Sequence, residues 1–102
     1  MRFDPCQELS RKDAHDIIIS IINSRGEIIL SRHARERMRE RRYTTDDVLH
    51  ILLTGRLVEK RWDKDPGSWK YKIIGKDIDG EDGGVVTVII SKTRLVVITV
   101  LS

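Results

Sequence analysis

The spacing of hydrophobic residues changes once along this chain, at Gly55. Before it, apolar side chains recur three and four positions apart. Ile17, Ile18, Ile21 and Ile22 form one stripe, and Val48, Leu49, Ile51, Leu52 and Leu53 form a broader one, as in helices with one buried side. Start signals agree: Ser10 is followed three residues on by Asp13, and Thr44 by Asp47. In that arrangement a hydroxyl accepts a hydrogen bond from an orphaned backbone N–H of the first turn. Ser31 predicts a further helix start between these two. Its helix has only Ala34 and Met38 as apolar side chains, so its buried face is narrow. Gly26 ends the first helix, and Gly55 is expected to close the last one in the left-handed conformation. Ile28–Leu30 is a short apolar entry to the Ser31 helix, at most a brief strand.

After Gly55 the period becomes two. Arg56–Trp62 and Lys70–Ile78 read as strands separated by a turn-rich loop with Pro66-Gly67, and Asp79–Gly84 is a second turn. Val85–Ser91 and Arg94–Leu101 are β-branched runs joined by Lys92-Thr93, a predicted antiparallel hairpin. Both are apolar on two faces, which points to central positions or to burial by a partner. Helices therefore precede strands, and the class is α+β, with the helices packed on one face of a roughly four-stranded antiparallel sheet. The expected organisation is one domain over 1–102: an irregular arm at 1–9, a helical part at 10–55 and the sheet at 56–102. The sheet's other face is left for a cleft or an interface.

Composition changes this picture little. The 102 residues are 39% hydrophobic and 34% charged, ordinary for a globular chain. Cys6 is the lone cysteine, so no internal disulfide forms. No apolar run reaches the ~20 residues of a membrane span, and the N-terminus has no secretory h-region. The cytoplasm is the expected location, with no membrane partner. Cys6, His15, His33 and His50 show no metal-ligand spacing, so neither metal nor other cofactor is expected. His15 and His50 read as surface residues.

Charge matters locally. The net charge is only +3, but arginines stand at 32, 35, 37, 39, 41 and 42, opposed by Glu36 and Glu40 alone. Clustered positive potential of this kind attracts phosphate. The first turn of the helix, at Ser31 and Arg32, offers unpaired N–H groups to such an anion. His33, Arg37 and Arg41 follow at steps of four, so they line one edge. RNA can be cleaved without metal when a base takes the ribose 2′-OH proton, an acid protonates the leaving 5′-oxygen and cations hold the phosphorane. An imidazole suits the acid or base role near neutral pH, and guanidinium groups suit the phosphate clamp. Tyr71 and Lys72 are candidates to assist. Thr87 and Thr99, polar exceptions in apolar strands, are candidates for a cleft floor. Trp62 and Trp69 flank the Pro-Gly loop and can stack on an unpaired base.

The pattern Ser31-x-His33-Ala34-x-x-Arg37-Met38-x-x-Arg41, then Thr44/Thr45-x-Asp47-Val48 and Gly55, resembles a bacterial family filed as domain of unknown function 4258. The strand Tyr71-Lys72-Ile73-Ile74-Gly75 and the apolar hairpin Val85–Leu101 extend the likeness over roughly Glu27 to Leu101, leaving the N-terminal helix outside. That family is grouped with the RelE/ParE-like toxins and the barnase, colicin and RelE nuclease fold. The resemblance implies a small α+β endoribonuclease-like domain (mRNA interferase), often the toxin of a toxin–antitoxin pair, with RNA and a cognate antitoxin protein as partners.

Two other classes compete with a nuclease. One is a non-catalytic member of the same fold that binds nucleic acid or protein. The other is a domain whose apolar final strands form a homodimer. The residues also have plainer uses. A helix rich in Arg and Glu makes i,i+4 pairs in solvent, His33 can satisfy backbone groups, Thr87 and Thr99 can simply favour strands, and Tyr71 can be core.

Overall fold

The computed structural model of the protein describes residues 3–64 and 67–101. Three helices and five strands follow in the order α1 (Arg11–Asn23), β1 (Glu27–Leu30), α2 (Arg32–Arg41), α3 (Thr45–Thr54), β2 (Arg56–Asp63), β3 (Ser68–Lys76), β4 (Asp82–Ser91) and β5 (Arg94–Leu101). The α+β class and the helices-first order are as expected. Of the predicted loop and arm, Asp65, Pro66, Met1 and Arg2 lie outside the described residues, as does Ser102.

The helix starts are local chemistry. Ser10 Oγ accepts from Asp13 N–H at 3.0 Å, and Ser31 Oγ from Ala34 N–H at 3.0 Å. At α3 the capping box is complete: Thr44 Oγ1 accepts from Asp47 N–H, and Asp47 Oδ2 accepts from Thr44 N–H. In α1, a helix unusually rich in β-branched isoleucine, Ala14, Ile18 and Ile21 are buried. Burial and the cap together outweigh the poor intrinsic propensity.

The helix ends depart from expectation. Arg25 after α1 and Arg42 after α2 take the left-handed conformation, at φ 59° and 57°, while Gly55 is extended at φ −76°. A side chain at a left-handed position costs roughly 1 kcal/mol relative to glycine. Arg25→Gly is therefore expected to raise unfolding stability by about 0.5–1 kcal/mol, read as a higher thermal midpoint. Gly26 next to it serves close approach instead. A Cβ there would sit 2.6 Å from Thr93 O, the carbonyl that accepts from Glu27 N–H at 2.8 Å as β1 enters the sheet.

The sheet has five strands, not four, in the order β1-β5-β4-β3-β2. β1 adds to one edge and runs parallel to β5, pairing Ile28 with Leu95 and Leu30 with Val97. The remaining pairs are antiparallel. One face carries Leu57, Tyr71, Ile73, Val85, Ile89, Leu95, Val97 and Val100 into a continuous core with the helix residues Ala14, Ile18, Ile21, Ala34, Met38, Val48, Ile51 and Leu52. The arm before α1 is irregular yet docked: Phe3 and Leu9 pack on this core, and Lys60 Nζ donates to Leu9 O at 3.0 Å. No helix among the described residues is long and apolar enough to cross a membrane.

Candidate nucleic-acid interface

Strand register decides which predicted site residues can meet. Tyr71 pairs with Lys60, Thr87 and, through Thr87, Val97. This row faces the helices. Lys72 pairs with Glu59 and Val86, and Val86 with Thr99. That second row, one residue away along β3, faces the opposite side. The sheet thus places Tyr71 and Thr87 on one side and Lys72 and Thr99 on the other.

Tyr71 and Thr87 are core residues, which corrects the expectation of Tyr71 as a group assisting catalysis and of Thr87 as part of a cleft floor. Tyr71 is 2% exposed and Thr87 0%, and Thr87 Oγ1 donates to Val96 O at 2.7 Å. Burial pushes the Tyr71 phenol up, against a smaller lowering from a Leu9 backbone hydrogen bond. The phenol therefore stays protonated near neutral pH. Neither side chain can touch a bound RNA. Thr99 is half-buried on the uncovered face, with Oγ1 donating to Val100 O at 3.4 Å. Lys72 is half-buried on that same face, so the pairing of Lys72 or Tyr71 with His33 is not assembled.

The tryptophans also divide. They pack at a ring-centroid distance of 5.5 Å and an interplanar angle of 59°. Trp69 is committed inward: its indole N–H donates to Cys6 O at 3.1 Å, and its ring packs on the core. Trp62, 42% exposed, is the ring left open to a base.

What remains together is α2. Ala34 and Met38 turn its narrow apolar side into the core. Four-residue steps advance about 40° around a helix, so His33, Arg37 and Arg41 climb one flank of that buried line. His33 is exposed and makes no hydrogen bond or ion pair among the described residues. Arg37 is half-buried and pairs with Glu40 at 3.2 Å, Arg32 pairs with Glu36 at 3.4 Å, and Arg41 is exposed. Surface pairs of this kind contribute about 0–1 kcal/mol, so a phosphate can displace them. Ser31 differs from expectation in being spent on the fold. Its hydroxyl accepts from Ala34 N–H and donates to Ile98 O at 3.0 Å, pinning α2 to β5.

One family covers this interface. The family described as "Domain of unknown function (DUF4258)" matches residues 30–102, which include α2, α3 and β2 to β5. The chain belongs to the DUF4258 family. Within the DUF4258 part, Gly55 and Gly75 form two sides of one backbone contact, since a Cβ on Gly75 would lie 2.8 Å from Gly55 Cα. Helix α1 lies outside the matched stretch. No curated protein and no solved structure matches the chain.

Two features escaped the sequence reading. His15 and His50 are half-buried and hydrogen-bonded to backbone, His15 Nε2 to Leu52 O and His50 Nδ1 to Lys76 O, both at 2.8 Å. Two hollows of the surface, about 430 and 230 Å3, are lined largely by the arm and α1, with no residue of α2 in their linings. Partners 37 residues apart carry no local signal. Among the described residues no three His, Cys, Asp or Glu side chains are grouped as metal ligands.

Proposed function

We propose that this DUF4258 domain is of the RelE/ParE-like toxin type and engages RNA along α2. In this reading Arg37 and Arg41 clamp a phosphate, and His33 is the acid/base group of a metal-independent endoribonuclease. The observation that carries it is the flank of α2, where an exposed imidazole with no hydrogen bond or ion pair among the described residues stands in line with Arg37, paired to Glu40, and with the exposed Arg41. An antitoxin with an acidic surface is the partner that would cover such a flank. A second reading is favoured by a separate observation. With Tyr71 buried and Lys72 on the far face of the sheet, neither of the assisting groups expected from the sequence stands beside His33. The domain would then hold RNA without cutting it.

Induced expression in a bacterial host, followed by mapping of transcript 5′ ends, separates the two. Catalysis predicts new 5′ ends and growth arrest in wild type, lost in His33→Ala, while the variant still retains RNA. Binding alone predicts no new ends but retention that weakens as salt rises, with a slope against log salt that falls by about 1 for each of Arg37→Ala and Arg41→Ala. No cut transcript together with no salt-sensitive retention overturns both.

A further inference from the structure

We infer that the hollow between α1 and the start of β2 is a binding site for a phosphate group, separate from α2. It encloses about 230 Å3 and is lined by Arg11, Lys12, His15 and Asp16 from α1 and by Arg56 and Leu57 from β2. Its charge is strongly one-sided. Asp16 is the only acid of the lining, and Lys12 Nζ already neutralises it at 2.7 Å. Arg11 and Arg56 make no ion pair among the described residues. Two guanidinium groups with no ion pair among the described residues thus line one small concavity, and their like charge favours an anion there. Each presents fork donors matched to phosphate oxygens.

The rest of the lining suits a fixed anion site. Leu57, 7% exposed, forms an apolar base. The His15 ring is held by the 2.8 Å bond from Nε2–H to Leu52 O, which leaves Nδ1 as the ring's remaining polar atom. The volume falls below the ~300 Å3 at which pockets for larger ligands begin, so the hollow takes a phosphate group and not a whole nucleotide. Its lining comes from both sides of the family boundary: Arg11, Lys12 and His15 precede residue 30, and Arg56 follows it. The site exists only because α1 packs over the family's own frame.

The test is an NMR titration of the 15N-labelled full chain at constant ionic strength. Inorganic phosphate is expected to give saturable shifts at the amides of Arg11, Lys12, His15 and Arg56. The exposed double variant Arg11→Ala/Arg56→Ala is expected to weaken binding at least tenfold, with an otherwise superimposable spectrum. If the double variant misfolds, Arg56→Ala alone serves, with at least a threefold loss. A matched pair of short RNAs, 5′-phosphorylated and 5′-hydroxyl, identifies the source. Shifts at these residues with the phosphorylated strand alone make an RNA terminus the ligand, and shifts with inorganic phosphate but neither strand make it a free small phosphate. Absent or unsaturable shifts, unchanged affinity in a folded variant, or shifts confined to α2 overturn the inference, the last leaving the α2 reading intact.

Discussion

Gly55→Ala is expected to lower unfolding stability by about 3 kcal/mol, at the upper end of what overpacking costs. The new methyl group would lie 2.6 Å from Ile51 O, 2.6 Å from Ile74 O and 2.9 Å from Ile73 Cγ2. Two of these neighbours are backbone. Ile51 O accepts from Gly55 N–H at 2.8 Å to end α3, and Ile74 belongs to β3 beside Arg56. Relief would require prising α3 from the sheet, because no flexible side chain can turn aside. With domains stable by only about 5–15 kcal/mol, the loss should appear as a lower urea midpoint at unchanged slope. A loss under 1 kcal/mol would show that the helix and strand are not so tightly apposed.

Asp47→Ala should cost a similar amount, about 3 kcal/mol, by a different route. The residue is 5% exposed, and its carboxylate accepts from Thr44 N–H at 2.9 Å, Thr44 Oγ1–H at 3.1 Å and Ile78 N–H at 3.2 Å. Alanine removes the N-terminal box of α3 and strands the Ile78 donor in the loop after β3. Caps contribute about 0.5–2 kcal/mol and hydrogen bonds to a charged group about 1.5–3. The effect must also depend on pH. The Thr44 backbone N–H bond, aided by Ile78, the Thr44 hydroxyl and the His50 charge, holds the carboxyl below its ordinary 3.8 despite desolvation. Because the folded value is the lower one, the stabilisation is complete above the unfolded value and disappears as pH falls through the folded one. Urea unfolding of wild type and Asp47→Ala should therefore differ by a constant amount from pH 5 to 7, and the difference should shrink below about pH 4. A gap that persists at pH 2 would assign the effect to packing and not to the carboxylate.

These two residues show how differently the sequence spoke. Asp47 was legible as part of a start signal, because Thr44 and Asp47 satisfy each other within one helical turn. Its third bond, to Ile78 31 residues away, was not. Gly55 was legible as an ending, but glycine serves two purposes, left-handed backbone and close approach. Only the arrival of β3 against α3 shows that the second applies here, while Arg25 and Arg42 take the left-handed positions. The candidate site follows the same division. Alternation placed Tyr71 and Lys72 on opposite faces, and which face the helices would cover was decided by packing.

By itself the sequence determined the helix starts, the change to period two at Gly55, the strands from β2 onward and the basic flank of α2. All of these follow from interactions within a few residues or from one repeating period. The tertiary structure alone decided the parallel edge strand β1, the inward placement of Thr87, and the register break after which Val100 and not Thr99 enters the core. It also brought Arg11 and Arg56, 45 positions apart in the sequence, to one hollow. The reason is physical: a hydrogen bond or a shared hollow between distant segments depends on where the whole chain packs, and no local pattern of side chains encodes that.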